Sequence, residues 1–396
     1  MNRRSTVVAV AFAAFSVTVG PKAGAAQGAT PPVATSAPQR GRGGAGQRGG
    51  VPWRTAEDTA RAHRLYISLH PEDLPRTNPR TANRVRTDSL FAARSKGVMD
   101  FQIVNYKSDI DSLGIPAYVF APLKKRGVKG HAAMVWVHGF VHGNFDEYFL
   151  PFVIEAVQRG YVIVAPNYRG SLGYTAEFAD MIDYGGKEVD DAESAYTYIQ
   201  RALPYVDPSR VGIMGWSHGG FITAHILFRD NQPFKAGAPI VPVTNLIFRL
   251  GTHSPSYTQP FASNPDIGGM PSDNTCGPSH NERCLPYYVK RSPVFQAGNL
   301  KVPILVHAAT NDCDVDFIED QQMIYTLMAL KPTLADTKIY VNPPEGWEGC
   351  GHTFSQRIVT DTSSSRYLER DDSPEQVDAW NRIWAFFGRN LHPEKG

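Results

Sequence analysis

The sequence predicts an α/β fold, a mostly parallel, doubly wound sheet flanked by helices. Three observations predict it. Residues 132–137 and 161–165 are continuous apolar runs, as strands buried on both faces of a parallel sheet require, and 211–216 reads as a further short apolar strand. Each run ends in glycine or polar turn residues. Segments of helical spacing alternate with such runs over about 250 residues, and no self-similar unit of propeller-blade length recurs.

Taken in order, the first element is a helix over 56–69. Residues 101–106 and 115–120 alternate or run apolar and predict two paired antiparallel strands. Strand 132–137 follows, then a helix over 148–158 and strand 161–165. A helix over 186–203 precedes strand 211–216 and a helix beginning at Phe221. Further strands are predicted at 237–243, 302–307 and 338–341, with helices over 316–330 and 373–390. Residues 252–290, rich in Pro, Ser, Asn and Tyr, interrupt the sheet pattern and read as a cap or insert over the site.

A 42% hydrophobic and 20% charged composition is that of a globular protein with a large core. The formal net charge is +2, and no dense basic run occurs beyond the N-terminus and Lys124-Lys125-Arg126. Nucleic acid is therefore not an expected partner. Arg3-Arg4, the apolar stretch 7–19 and Ala23-Gly24-Ala25 predict a secretory signal peptide over 1–25, with a retained anchor as the alternative. Residues 26–52 are a Gly/Pro/Ala-rich flexible linker, and 53–396 form the folded domain. The expected location is the periplasm or the extracellular space, with no stable membrane span once the signal is cleaved. Four cysteines fit export, and Cys276 and Cys284, flanking a short polar loop, are disulfide candidates.

Gly215-Trp216-Ser217-His218-Gly219, between an apolar strand and a helix, places a serine on the sharp turn known as the nucleophile elbow of α/β-hydrolases. Such a serine needs a base, a group to orient the base, and an oxyanion hole. The chain order in that fold is Ser, then Asp or Glu, then His. Asp312 follows strand 302–307 and His352 lies in a glycine-rich loop after the next strand, 95 and then 40 residues on. Asp312 is preferred as the acid because the apolar Val315 follows it by three positions; Asp314 is the alternative. The loop His138-Gly139-Phe140 leaves strand 132–137, so Gly139 and Phe140, with the N–H of His218, are the oxyanion candidates.

These segments carry a resemblance. Asp190-Asp191-Ala-Glu-Ser-Ala-Tyr196 followed by Tyr205-Val-Asp-Pro-Ser-Arg-Val-Gly-Ile-Met-Gly-Trp-Ser-His-Gly-Gly-Phe221 resembles the catalytic domain of the prolyl oligopeptidase family of serine peptidases. Asn167-Tyr-Arg-Gly-Ser-Leu-Gly-Tyr174 and Ser292-Pro-Val-Phe295 resemble further segments of it, and the likeness covers about residues 100–390. It implies an α/β-hydrolase fold with Ser217 as nucleophile, Asp312 as orienter and His352 as general base. Three departures stand out: no stretch long enough for the family's N-terminal β-propeller precedes the first strand, Phe140 stands where a second glycine is common, and Ala308 replaces a glycine in a lengthened acid turn.

If Asp312 and His352 meet, Cys313 and Cys350 meet too, so a disulfide joining the two loops is expected. Tyr168, Tyr287 and Tyr288 are the substrate-pocket candidates, with core packing as their competing role. The reaction needs no cofactor, and no metal-binding pattern occurs. The expected function is hydrolysis of peptide bonds in small peptides through an acyl-enzyme, as an aminopeptidase or a dipeptidyl-type enzyme. A carboxylesterase acting on small esters is the alternative, and a non-catalytic binding protein on a hydrolase scaffold is the third reading. The oligomeric state is not written in the sequence.

Overall fold

The computed structural model describes residues 79–252, 281–344 and 350–394, all within the unit Val51–Gly396. The expected signal peptide, linker and helix over 56–69 lie outside the described residues, as do positions 253–280 of the insert, Cys276 included.

Helix α1 (Pro79–Ser95) leads into β1 (Asp100–Lys107), β2 (Gly114–Ala121) and β3 (His131–Val137). Then come α2 (Leu150–Gln158), β4 (Val162–Pro166), α3 (Ala176–Asp180), α4 (Lys187–Ala202), β5 (Val206–Trp216), α5 (His218–Leu227) and β6 (Ala236–Ile240). The chain continues through α6 (Leu246–Thr252), α7 (Asn281–Lys290), β7 (Ile304–Ala309), α8 (Phe317–Leu330), β8 (Ala335–Tyr340) and α9 (Pro374–Leu391).

The eight strands form one sheet in the order β1-β2-β4-β3-β5-β6-β7-β8. Only the β1–β2 and β2–β4 pairs are antiparallel; the others are parallel. Every residue of β3 and β4 is buried, which is why both read as unbroken apolar runs. The pleat divides them between two cores. Ala133, Val135 and Val137 join α4, α5 and α8 on one face, while Ala132, Met134 and Trp136 join α2 and α9 on the other. Among the described residues no helix is long and apolar enough to cross a membrane.

The departures from expectation have local causes. Helix α1 was hidden because the buried side of this arginine-rich segment includes a charge: Arg84 is 1% exposed, bonds Asp88 at 2.8 Å and lies over the Tyr174 ring. Strand β5 starts five residues early, at Val206, with its pairing to β3 shifted between His131 and Ala133. Strand β6 stops at Ile240, and the next residue, Val241, turns out of the sheet with φ 40°. Strand β8 spans Ala335–Tyr340 because it is the half-buried edge of the sheet, where Asp336 and Lys338 are tolerated. Helix α5 begins at His218, immediately after the serine.

Candidate active site

Strands β3, β5, β7 and β8 end at the same edge of the sheet, and the loops that leave them carry the candidate residues. Ser217 sits between β5 and α5 with φ 54° and ψ −119°, a conformation that costs an L-residue about 1–3 kcal/mol. Close packing enforces it. A Cβ on Gly215 would lie 2.5 Å from the Gly219 backbone, and one on Gly219 would lie 2.3 Å from the Val137 carbonyl oxygen. The Ser217 N–H donates to the Ile240 carbonyl at 3.0 Å, which ties the turn to β6. Three strands therefore clamp the serine.

Asp312 lies in the loop after β7 with its carboxylate fully buried. Oδ1 accepts the N–H groups of Asp314 (3.0 Å) and Val315 (2.9 Å), closing a tight turn on the buried Val315 side chain. Oδ2 is thus left for His352, whose Nδ1 donates to it at 2.8 Å. His352 lies in a short 3-10 turn, Gly351–Thr353. Its neighbour must be glycine, since a Cβ on Gly351 would stand 2.3 Å from Asn311 Oδ1. Cys313 and Cys350 form a disulfide, with Cα atoms 5.3 Å apart, that ties the acid loop to the histidine loop.

Burial alone would depress the His352 imidazolium, but the Asp312 charge, its hydrogen bond and the nearby Asp314 outweigh that and raise its pKa above the ordinary value. No hydrogen bond joins Ser217 Oγ to His352. The free edge of the ring, Nε2, lies 3.5 Å from Asp314 Oδ2 instead. The structure thus brings both acid candidates to one imidazole, Asp312 to the inner nitrogen and Asp314 to the outer. Catalytic hydrogen bonds are often loose before substrate binds.

The β3 loop passes over the serine: a Cβ on Gly139 would be 3.5 Å from Ser217 Cβ. Phe140 adopts φ 57° and is 69% exposed. Beneath the loop, His138 stacks on Tyr168 and bonds Ser171 Oγ at 2.9 Å. Burial lowers His138 to about 4, so its ring is neutral and structural. Helix α5 starts at His218, which points unsatisfied N–H groups toward the reacting edge.

Two of the three pocket tyrosines are placed elsewhere. Tyr168 is fully buried and donates its hydroxyl to the Phe140 carbonyl at 2.7 Å, and Tyr288 is 2% exposed in the core, so neither has a face left for substrate. Tyr287 is partly buried, its ring under the Arg291 guanidinium. Cys284 falls in α7, and its expected partner lies outside the described residues.

Sequence reasoning missed buried charged residues around the site, Arg249 and Glu188 among them. Arg249 of α6 donates to the Asp314 carbonyl at 2.9 Å and lies 3.8 Å from its carboxylate and 3.6 Å from Glu319. Glu188 of α4 accepts the N–H groups of Gly185 and Gly186 and approaches His218 Nε2 at 3.7 Å. Burial pushes Glu188 up to about 8 and His218 well down. The available signal for Glu188 was its place on the buried side of α4, with Val189, Asp191, Ala192 and Ala195.

A family model described as "Prolyl oligopeptidase family" matches residues 148–361, more than half of the chain. The chain belongs to the prolyl oligopeptidase family. As a family member it is a serine hydrolase with the α/β-hydrolase fold expected from its sequence. It is 29% identical over 279 residues to an uncharacterized peptidase, YuxL, of Bacillus subtilis (strain 168), covering 68% of this chain and 39% of that protein. It is also 29% identical over 218 residues to acylamino-acid-releasing enzyme 1 of Oryza sativa subsp. japonica, covering 54% and 27%. A solved acylaminoacyl peptidase of Pyrococcus horikoshii superposes with a TM-score of 0.56 at 22% identity, covering 76% of this chain and 44% of that one, and shares the fold. The chain spans less than half the length of these relatives.

Proposed function

We propose that the protein is an exported serine peptidase that works through an acyl-enzyme formed on Ser217. His352 Nε2 takes the proton of Ser217 Oγ as that oxygen attacks the scissile carbonyl carbon. The developing oxyanion is held by backbone N–H groups of Phe140 and His218. Collapse of the tetrahedral intermediate breaks the C–N bond, and His352 returns the proton to the leaving amine. Water, deprotonated by the same nitrogen, then releases the acid and restores the serine. Asp312 keeps the imidazole in the Nδ1–H tautomer and steadies its positive charge.

The observation that carries this reading is the 2.8 Å contact between the buried His352 and Asp312, on the sheet edge that also carries the strained Ser217. A binding protein has no use for that strain, which disfavours the non-catalytic reading. The N-terminal sequence supports export: residues 1–25 as a cleaved signal and 26–52 as a tether. The cysteine bridge between the catalytic loops fits an oxidising compartment.

The test compares the mature protein with Ser217→Ala and Asp312→Asn on aminoacyl anilides, N-acylated aminoacyl anilides and short-chain nitrophenyl esters. Several relatives bear the name of acylamino-acid-releasing enzymes, so the acylated arm belongs in the panel. Anilide cleavage that is abolished in Ser217→Ala and falls about 10⁴-fold in Asp312→Asn is expected. Ester cleavage without anilide cleavage would make the protein a carboxylesterase. No cleavage of any substrate, together with no labelling by a fluorophosphonate, would leave only a binding role.

A further inference from the structure

The outer edge of His352 is the one part of the candidate triad with a partner that acyl transfer does not use. During acylation Nε2 has to face Ser217 Oγ. In the structure it lies 3.5 Å from Asp314 Oδ2, and the Asp314 side chain keeps 21% of its surface exposed. Asp314 is thus beside the nitrogen that, in the proposed mechanism, protonates the leaving group, and it is partly exposed. Its other face is fixed from within, by Arg249 at 2.9 Å from its carbonyl and 3.8 Å from its carboxylate.

Charge balance decides what this arrangement asks for. From the acid loop, Asp312 and Asp314 face the imidazole. From α6 comes the Arg249 guanidinium, which is also 3.6 Å from Glu319 and hydrogen-bonded to Tyr184. From α8 come Glu319 and Asp320, both fully buried and both raised by that burial, Glu319 to about 7. Burial opposes ionisation of those two carboxyl groups, so among the described residues the acid loop sets its own pair, Asp312 and Asp314, on the imidazole beside the Arg249 guanidinium. Both members of that pair favour the protonated form of His352, and a protonated His352 cannot act as a base.

Resting on the peptidase reading above, we propose that Asp314 is a specificity-determining residue that pairs with a cationic group of the substrate close to the scissile bond, and that this pairing frees His352 Nε2 to face Ser217. The chemistry that fits is an ammonium or guanidinium group, either a free α-amine or a basic side chain next to the scissile carbonyl. A neutral substrate leaves Asp314 holding the imidazolium, and it therefore reacts well only at higher pH.

The experiment uses the mature wild-type protein, Asp314→Asn, and Asp316→Asn as a control for charge loss nearby. The substrates are a methionyl anilide with a free α-amine, its N-acetyl form, and an N-acetyl-lysyl anilide; kcat/KM is followed from pH 5 to 9 alongside the rate of fluorophosphonate labelling. The wild type and Asp316→Asn are expected to prefer at least one cationic substrate about tenfold over N-acetyl-methionyl anilide. Preference for the first substrate alone identifies the α-amine as the source, and preference for the last identifies the side chain. Asp314→Asn should erase the preference and move the acid limb of N-acetyl-methionyl cleavage and of labelling to lower pH. A wild type without any cationic preference overturns the proposal, as does an Asp314→Asn enzyme that keeps both ratio and limb. Should Asp314→Asn fail to fold, the wild-type preference is measured at ~0.05 M and ~0.5 M NaCl; it should shrink with salt, and a salt-independent ratio overturns the proposal. Absence of labelling sinks the acyl-enzyme reading and this inference together, whereas normal labelling with no effect of Asp314→Asn sinks this inference alone.

Discussion

Tyr168 donates its hydroxyl to the carbonyl of Phe140 at 2.7 Å, from a fully buried position beneath the loop that crosses the serine. Phe140 is held at φ 57°, a conformation its side chain disfavours, so that bond is part of what keeps the loop in place. Replacing Tyr168 with Phe removes one of two donors to this part-buried carbonyl, which keeps the Gly143 N–H at 3.2 Å, at a cost of about 0.5–1.5 kcal/mol. We expect a fall of that size in unfolding free energy by denaturant titration, and a kcat loss of about tenfold with KM little changed, because the oxyanion donor matters most in the transition state. A proportionate rise in KM at constant kcat would place the loop in substrate binding instead.

With His352 in its proposed role of general base, the pH dependence of catalysis follows from what surrounds it. Its pKa is raised because Asp312 and Asp314 together outweigh the effect of burial. A general base must be neutral, so kcat/KM for a neutral substrate should climb with pH through a midpoint above the ~6.5 of an ordinary histidine. The stability linkage runs the other way: the imidazolium's contribution is complete below the unfolded pKa and is lost as pH rises through the folded one. Activity and stability should therefore diverge on the alkaline side, and a rate profile with its midpoint below 6.5 would contradict the bracketing of His352 by two carboxylates.

Glu188 carries a separate pH signature. Burial raises it to about 8, so the folded protein binds a proton there that the unfolded chain has already released. Stability should fall as pH rises from about 4.5, the ordinary range for this acid, to about 8, and then level off. Glu188→Gln removes that titration. Relative to wild type, the variant should gain a few kcal/mol between pH 5 and 9, because each tenfold difference in proton affinity between the folded and unfolded chain is worth about 1.4 kcal/mol. Parallel stability curves for the two proteins would mean that Glu188 ionises normally in the fold.

The Cys313–Cys350 bridge closes a loop of 37 residues between the candidate acid and the candidate base. Chain entropy assigns such a closure about 4 kcal/mol. The double replacement of both cysteines by serine should lower unfolding free energy by roughly 2–4 kcal/mol and reduce kcat more than it raises KM, since it loosens the Asp312–His352 pair. An unchanged kcat at full folding would show that the 2.8 Å contact needs no tether.

Much of this architecture was legible because backbone demands leave marks on sequence. The unbroken runs of β3 and β4 announce strands buried on both faces, and the glycines around Ser217 announce a turn too tight for a Cβ. Val315 marks the acid turn because a buried apolar side chain must anchor it. What stayed hidden was held by side chains instead. Helix α1 buries Arg84 through a salt bridge and a ring contact, which no apolar period can announce. Arg249, Glu188 and the supporting role of Tyr168 depend on residues brought together from distant parts of the chain. Tyr168 and Tyr288 show the same limit from the other side, for an aromatic near a motif reads alike whether it faces substrate or core.

The elbow has a consequence for when the chain becomes an enzyme. Ser217 takes its conformation from Val137 on β3, Gly219 on α5 and Ile240 on β6, none of which can act until the central strands are in register. A nascent or half-folded chain holds an ordinary serine with the reactivity of any alcohol. With Ser217 as the proposed nucleophile, hydrolytic power is a report of completed folding, and an incompletely assembled copy is harmless to its neighbours.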